Sequence, residues 1–345
     1  MLAAVSVVVP VAALLISLLA TRWLVAAGRG PIDLPNARSL HDTPVPRTGG
    51  LAILLGVLMP WLVLAALGVD VPLFDWLFAA LMLVALISFL DDLGHVPPWS
   101  RLLVHVLAAL LLIAAGLHWP VFVLPGVALH LPILITGVLT VLYVVWMINL
   151  YNFMDGMDGL AGGMAVIGFA ALAILGWTGG EPLFSLIATS IAAASLGFLS
   201  GNFPPARIFL GDAGSSSLGL LAAGLSLWGV ELQLFPLWAA WLAFSPFIVD
   251  ATWTLLTRLI RRERVWEAHR THHYQRLVLS GWGHRRTLLR AWLLMAAAAA
   301  CAVAAPRLAV DEQWFVLAAW LVIYFLIHLR VALIERTAGA EPHQP

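Results

Sequence analysis

The chain has 345 residues and is poor in charge and in cysteine. Only 10% of its residues are charged, none is lysine, and the single cysteine, Cys301, lies in an apolar run. One cysteine excludes an intrachain disulfide. The 18 acidic and 18 basic residues cancel, so net charge does not point to nucleic acid as a partner. A hydrophilic domain, a low-complexity linker and an obvious internal repeat are also missing from the sequence.

Apolar residues dominate the composition: 62% of the chain is hydrophobic and the mean hydropathy is +0.97. This balance excludes a soluble globular protein and predicts an all-α polytopic membrane protein forming a single domain over 1–345. A membrane crossing needs about 20 apolar residues. On that basis we predict about eleven transmembrane helices, at 3–21, 50–69, 74–90, 102–118, 133–150, 160–178, 183–200, 214–230, 234–257, 288–305 and 313–334. The first run lacks the features of a cleaved signal peptide and is expected to be a retained span.

The arginines predict the orientation of the helices. Nearly all of them lie in the C-terminal tail and in the segments 22–49, 91–101, 151–159, 201–213 and 258–287. The positive-inside rule then puts these segments in the cytosol, the N-terminus outside and the C-terminus inside a bacterial plasma membrane. Because the polar clusters described next lie in the same segments, we expect an active site that faces the cytosol.

The first polar cluster follows the apolar run 133–148. Two amides and two carboxylates recur there every three residues: Asn149, Asn152, Asp155 and Asp158. Polar groups at the edge of hydrocarbon are costly, so they indicate a functional site. Each step of three residues falls about 60° short of a full turn, so one straight helix cannot direct all four groups at one ligand. Gly156 and Gly159 predict that the helix ends near Asp155 and the chain turns there.

Two acidic clusters follow the same logic. Asp91 and Asp92 end the third span without a basic neighbour in sequence, which favours Mg²⁺ or a proton relay over a hydrated helix end. Arg101 could meet a phosphate. At 211–215, Gly-Asp-x-Gly-Ser combines backbone donors, a carboxylate and hydroxyls at a helix start, which suits Mg²⁺ bridging to phosphate oxygens. Alternatively, Asp212 could simply cap the helix.

The first basic cluster lies before the second span. Arg38, His41 and Arg47 supply positive charge that suits phosphate. Gly49 and Gly50 could leave backbone N–H groups free to bind an anion, or could instead allow tight helix packing.

The second basic cluster, 261–276, contains three histidines among arginines. Without a cysteine partner, an oxyanion pocket is favoured over zinc, and a basic amphipathic helix on anionic lipid is the alternative. Asp250, in the preceding span, is expected to pair with an arginine near the interface, and a catalytic role is the alternative.

In combination these segments resemble the polyprenyl-phosphate N-acetylhexosamine-1-phosphate transferases of glycosyltransferase family 4. That family includes the enzymes that initiate O-antigen, enterobacterial common antigen and teichoic acid synthesis, and the related phospho-MurNAc-pentapeptide translocase. The resemblance covers about residues 30–285. It rests on Asp-x-Pro-Asn-x-Arg-x-x-His and Pro-x-Pro-x-x-Gly-Gly within 33–50, Asp91-Asp92, Asn-x-x-Asn-x-x-Asp-Gly-x-Asp-Gly-Leu-Ala at 149–161, Gly-Asp-x-Gly-Ser at 211–215 and the histidines at 269–273.

The resemblance implies transfer of a sugar-1-phosphate from a UDP-sugar to undecaprenyl phosphate with release of UMP. It implies Mg²⁺, with Mn²⁺ as the alternative, held by Asp212, Asp155 and Asn152. Asp91, Asp92, Asp155 and Asp212 would be the catalytic residues. The substrates would be bound by Asn36, Arg38, His41, Arg101, Asn149, Asn152, Asp158, His269, Arg270, His272 and His273.

One departure narrows the donor. The segment reads His-Arg-Thr-His-His, not the uninterrupted triple histidine of the MurNAc-pentapeptide enzymes, which favours a simpler N-acetylated sugar and the O-antigen-initiating type. UDP-GlcNAc, UDP-FucNAc and UDP-QuiNAc remain open as donors, and a homodimer remains open as the assembly.

A dianionic lipid phosphate needs little help from a base, so direct in-line attack is predicted, with an aspartyl-phosphate route as the competitor. The alternative functions are a MurNAc-pentapeptide-type transferase, an intramembrane prenyltransferase and a cation-coupled transporter.

Overall fold

The computed structural model describes residues 2–28, 30–35, 40, 43–66, 68, 74–119, 121–264 and 269–338. Its helices are α1 Leu2–Ala27, α2 Gly49–Ala66, α3 Phe74–Leu93, α4 Pro98–Ala114, α5 Ile133–Phe153, α6 Leu160–Thr178, α7 Pro182–Asn202, α8 Gly211–Glu231, α9 Leu237–Ala243, α10 Ser245–Ile260, α11 His273–Leu277, α12 His284–Ala304 and α13 Val310–Ala338. A π-helical turn, Val278–Trp282, follows α11, and a 3₁₀ turn, Ala305–Arg307, follows α12.

Strands are few and short in the described part of the chain. They form two antiparallel hairpins, one of β1 Ile32–Asp33 with β2 Val45–Pro46 and one of β3 Phe122–Leu124 with β4 Val127–Leu129. In the first hairpin Ile32 pairs with Pro46, and this pairing draws the two ends of the first long loop together in front of α2.

The predicted all-α polytopic membrane fold is confirmed. Among the described residues, nine helices are long and apolar enough to cross a membrane, and the bent pair α9–α10 counts as a tenth. Within the predicted span 234–257 the helix is broken, and α9 and α10 meet at 84°. Pro246 lies in the first turn of α10, where it has no N–H to continue the α9 ladder. The apolar helix α4 is shorter, with 17 residues, so its crossing remains a prediction, as does the orientation.

Helix α8 lies at the centre of the bundle, and nearly all of its side chains are buried. It packs against α2, α3 and α5 through small residues. A Cβ at Gly219 would come within 2.4 Å of the Met147 carbonyl oxygen in α5, and one at Gly50 would come within 2.3 Å of the Gly214 nitrogen. Glycine thus lets these helix backbones touch. As a result the C-terminal ends of α3 and α5 converge on the start of α8.

The same close packing decides the role of the glycines before α2. The N–H of Gly49 donates to the Phe209 carbonyl oxygen at 2.9 Å, and that of Gly50 donates to the Leu210 carbonyl oxygen at 2.7 Å. These donors are occupied, so the predicted anion-binding site at Gly49 and Gly50 is wrong and the packing alternative is correct. The bonds tie the first long loop to the start of α8.

Helix α13 lies at the periphery. Most of its large apolar side chains are exposed, among them Phe315, Leu321 and Leu333, as expected for a helix that faces lipid. One narrow face is different, because Trp320 and Val331 are buried against the bundle. Helix α13 thus contacts the rest of the protein along a single stripe.

Candidate active site

The start of α8 is the centre of the candidate site. Gly211 begins the helix at φ 74°, and a Cβ there would come within 2.6 Å of the Arg47 carbonyl oxygen, so a larger residue does not fit. The next residue, Asp212, accepts a hydrogen bond from Asn152 Nδ2 at 2.8 Å. The same amide lies 3.1 Å from Ser215 Oγ. The ends of α5 and α8 thus bring two of the predicted metal ligands, Asn152 and Asp212, into contact.

Asp92, at the end of α3, is buried and binds the backbone of α8. The N–H groups of Asp212 and Ala213 donate to its two carboxylate oxygens, each at 3.0 Å. These donors belong to the first turn of a helix, which has no intrahelical partners for them and carries the positive end of the helix dipole. Asp92 therefore caps α8 from another helix. The backbone donors predicted for phosphate are occupied, and the alternative in which Asp212 itself caps the helix is wrong.

Asp91 faces a basic residue. Arg101 Nη1 donates to Asp91 Oδ2 at 2.5 Å and lies 3.5 Å from Asp212 Oδ2. The other oxygen of Asp91 accepts the Val96 N–H at 2.8 Å. Four residues separate α3 from α4, and this short connection returns Arg101 to the carboxylates. The pair has no basic neighbour in sequence but gains one in the fold, where Arg101 lies between two aspartates at the site.

Asp155 lies in the turn between α5 and α6, where Gly156 and Gly159 predicted that the helix would end. Burial raises the pKa of its carboxyl well above the ordinary value, and the nearby negative charges of Asp212, Asp92 and Asp158 raise the pKa further. Carboxylates that converge in this way favour a proton or a bound cation. This turn therefore adds a further carboxyl group to the start of α8.

The donor set fits magnesium. Carboxylate and amide oxygens of Asp212, Asp155 and Asn152 are hard ligands of the kind that Mg²⁺ takes. Within the described residues, no group of three histidine, cysteine, aspartate or glutamate side chains is arranged to hold a metal ion alone. That is compatible with Mg²⁺, which commonly uses one or two carboxylates together with substrate phosphates.

Asp158 and Asn149 point away from Asp212. Asp158 is buried, accepts the Ala206 N–H at 3.0 Å, and lies 3.4 Å from His284 Nδ1. Asn149 donates to the Val145 carbonyl oxygen at 2.7 Å and lies 3.3 Å from a ring nitrogen of His105. The predicted rotation along the three-residue ladder thus directs its two outer members elsewhere, and only the inner two face α8.

Asn202, at the end of α7, is a residue that the sequence reading missed. It is buried, and its Oδ1 accepts the Gly159 N–H at 2.9 Å while its Nδ2 donates to the Ile208 carbonyl oxygen at 2.9 Å. It therefore joins the turn after α5 to the loop before α8. The pattern that singled out Asn149, an asparagine at the end of an apolar helix, could also have identified Asn202.

Asp250 binds the histidine segment. Its Oδ1 accepts the backbone N–H of His273 at 3.0 Å and lies 2.9 Å from His273 Nδ1 and 3.3 Å from His272 Nδ1. The expected pairing of Asp250 with an arginine is wrong. In the described part of this segment the only helix is α11, with five residues, which is too short for the alternative of a basic amphipathic helix on lipid. Asp250 is thus a structural anchor for the histidines.

Tyr274 connects the histidine segment to the turn between α5 and α6. Its hydroxyl donates to the Phe153 carbonyl oxygen at 3.2 Å, and a Cβ at Gly156 would come within 2.2 Å of that hydroxyl. Burial, and then the charges of Asp250 and Asp155, raise the pKa of Tyr274 well above its ordinary value, so the hydroxyl remains a donor. The ring of His272 stacks on Tyr274, with ring centres 5.8 Å apart. The histidine segment is therefore in direct contact with the turn between α5 and α6.

The remaining histidine, His269, lies 4.9 Å from His272, ring centre to ring centre. Burial, followed by the positive charges of His272 and Arg258, lowers its pKa to about 4, so it is neutral at pH 7 and cannot act there as a cation. Arg270, beside it, is exposed. Three predicted substrate ligands, Asn36, Arg38 and His41, lie outside the described residues.

Comparison with known proteins defines the class. Residues 75–230 match the family described as glycosyl transferase family 4. This stretch contains α3 to α8, and hence Asp91, Asp92, Asp155 and Asp212. This match confirms the resemblance read from the motifs.

Individual relatives are more specific. The chain is 29% identical to a "Probable undecaprenyl-phosphate N-acetylglucosaminyl 1-phosphate transferase" of Bacillus subtilis, over 77% of this chain and 74% of that protein. It is 27% identical to an "Undecaprenyl-phosphate alpha-N-acetylglucosaminyl 1-phosphate transferase" of Yersinia pestis, over 88% and 84%. The chain is also 27% identical to a "Phospho-N-acetylmuramoyl-pentapeptide-transferase" of Cutibacterium acnes, over 79% of this chain and 88% of that protein.

Proposed function

We propose that this protein transfers an N-acetylhexosamine-1-phosphate from a UDP-sugar to undecaprenyl phosphate, releases UMP and initiates lipid-linked, O-antigen-like polysaccharide synthesis. The observation that carries the proposal is the contact of Asn152, Asp212 and Arg101 at one end of a membrane bundle. It unites oxygen ligands and a cation beside hydrocarbon, which suits a diphosphate donor and a lipid acceptor. The names of the Bacillus and Yersinia relatives support an N-acetylglucosamine-type sugar. A relative of the pentapeptide type matches over a similar length, so it is the interrupted His-Arg-Thr-His-His segment that favours the simpler sugar.

We further propose Mg²⁺ as the cofactor, held by Asp212, Asp155 and Asn152, with Mn²⁺ as the alternative. When bound, it would supply positive charge that offsets the donor diphosphate and the carboxylates. The raised pKa of Asp155 supports this assignment, because closely spaced acidic groups need a neutralising partner. We place the site at the cytosolic face of a bacterial inner membrane, on the basis of the arginine-rich loops.

In the proposed reaction an oxygen of the lipid phosphate attacks the β-phosphorus of the donor. The bond from that phosphorus to the bridging oxygen breaks, and UMP leaves with the electron pair. Both oxygens of Asp91 and both of Asp92 accept hydrogen bonds. This favours direct attack over an aspartyl-phosphate on either residue, and it gives Asp92 a positioning role.

The negative charge that develops on the phosphate oxygens during transfer must be stabilised by nearby hydrogen-bond donors. Arg101 lies beside Asp212, and the buried Nε of Arg47 has no hydrogen-bond partner among the described residues. An arginine nitrogen left without a partner in a buried site suits a phosphate oxygen. The unpartnered nitrogen thus supports the predicted role of Arg47 in binding phosphate, while neutral His269 would contribute a hydrogen bond instead of charge.

The test is UMP release by the detergent-purified full chain with Mg²⁺, undecaprenyl phosphate and a panel of UDP-N-acetyl sugars. We expect UMP only when lipid, metal and one donor are present together. Asp212→Asn should abolish release, whereas Asp75→Asn, at the exposed far end of α3, should not change it. Absence of UMP with every donor from folded protein, or an active Asp212→Asn variant, would overturn the proposal.

A further inference from the structure

Helix α13 carries polar side chains on a helix that otherwise faces lipid. Tyr324, His328 and Glu335 are partly buried and share one face, because they lie four and then seven residues apart. Neighbours such as Phe325 and Leu326 are more than half exposed. Uncompensated polar groups on a lipid-facing helix are costly, so their partners indicate what they are for.

The partners of all three side chains lie in α10, which carries Asp250, or in α11, which carries His273. Tyr324 lies 2.5 Å from Ser245 Oγ, at the start of α10. Glu335 accepts two parallel hydrogen bonds from Arg276 in α11, at 2.6 and 2.5 Å. This fork-to-fork geometry is the strongest and most specific form of ion pair. Helix α13 therefore fixes α11 at its outer end.

His328 makes the third contact, and it extends the Asp250 anchor. Asp250 Oδ1 lies 2.9 Å from His273 Nδ1, and His273 Nε2 lies 3.1 Å from His328 Nδ1. A carboxylate only accepts hydrogen bonds, so His273 Nδ1 carries the proton. In neutral His273 the other nitrogen then accepts, and His328 must donate from Nδ1. The indole of Trp253 packs on His328 with ring centres 4.3 Å apart and holds its orientation.

We propose that His328 and Glu335 are positioning residues for the histidine segment, and that His273 is its anchor instead of a substrate ligand. Both ring nitrogens of His273 are taken, one by Asp250 and one by His328. The predicted contact with the diphosphate or sugar then falls to His272 and His269, which precede the anchor. The inference rests on the proposed transferase function for its kinetic consequences, and on geometry alone for its structural ones.

Two replacements at His328 separate hydrogen bonding from packing. Asparagine places an N–H near the position of Nδ1 and can still donate to His273, whereas leucine has similar bulk and cannot. We expect His328→Leu to lower kcat/KM for the UDP-sugar by about ten- to hundred-fold, as for a small misplacement of a binding group. His328→Asn should recover most of this loss. Leu326→Ala, on the lipid face of the same helix, is the control and should match the wild type.

A second measurement does not depend on activity. Hydrogen exchange of residues 269–277 should become faster in His328→Leu and in Glu335→Gln, and should stay at the wild-type rate in His328→Asn and Leu326→Ala. If the wild type releases no UMP, exchange still tests the anchor. Unchanged exchange in both His328→Leu and Glu335→Gln, or equal effects of leucine and asparagine at position 328, would overturn the inference.

Discussion

Replacement of Asp92 by asparagine should destabilise the protein as well as inactivate it, because this carboxylate caps α8. It accepts two backbone N–H groups at 3.0 Å and is buried. Asparagine keeps one acceptor oxygen, but it turns an NH₂ group toward the second N–H. One helix donor then lies buried without a partner. The start of α8, which carries Asp212, would shift or fray.

The expected loss of stability is the sum of two contributions. A buried donor without a partner costs about 1–3 kcal/mol. Loss of the negative charge at the helix N-terminus adds about 0.3–1 kcal/mol. The free energy of unfolding of Asp92→Asn should therefore fall by about 1–4 kcal/mol.

The assay is unfolding of the detergent-solubilised protein in an SDS titration, followed by tryptophan fluorescence, with UMP release measured on the same samples. Asp75→Asn, in the first turn of α3, serves as the control: it should lose only the charge contribution of about 0.3–1 kcal/mol and leave UMP release unchanged. An Asp92→Asn variant that loses activity but keeps its unfolding free energy within about 0.5 kcal/mol of the wild type would refute the capping argument. Asp92 would then act on the substrate itself.

Three further changes test other contacts. Gly50→Ala should cost about 1–3 kcal/mol of stability by overpacking, because its Cβ would come within 2.3 Å of the α8 backbone. Gly94→Ala is the control and should be tolerated, because its Cβ meets nothing within 4 Å. Thermal unfolding compares the two variants. Gly156→Ala should lower UMP release by displacing the Tyr274 hydroxyl, and the loss should be smaller in a Tyr274→Phe background; additive effects would contradict this contact. Because the folded pKa of His269 is about 4 and the ordinary value is 6.5, stability is expected to fall as pH drops through this window, when only the unfolded chain takes up the proton. His269→Gln should flatten that part of a melting-temperature profile, and an unchanged profile would argue against a buried neutral His269.

Local patterns predicted much of the fold. Apolar runs marked the membrane helices, and Gly156 and Gly159 marked the end of α5 because glycine favours a turn wherever it occurs. The three-residue spacing also predicted that Asn149 and Asp158 could not share a ligand with the inner pair. Each of these conclusions depends on neighbours in sequence alone.

Partners distant in sequence were beyond such patterns. Asp92 and Asp212 are 120 residues apart, and nothing near Asp92 shows that its partner is a backbone. Asp250 has Arg258 two turns away on its own helix, yet its partners come from a later loop. The sequence indicated which polar side chains would be costly to bury. The packing of α8 and α13 determined which partners those side chains bind.

The composition of α8 has a consequence for how the protein reaches the bilayer. It is the least apolar of the candidate spans, with glycines and serines where others have leucine, and almost all of it is enclosed by protein. A segment of this kind gains little by entering lipid alone. Its insertion should therefore depend on helices already in the membrane, and α2, α3 and α5, which receive it, all precede it in the chain. During synthesis, α8 would leave the translocon into a prepared protein groove instead of into lipid.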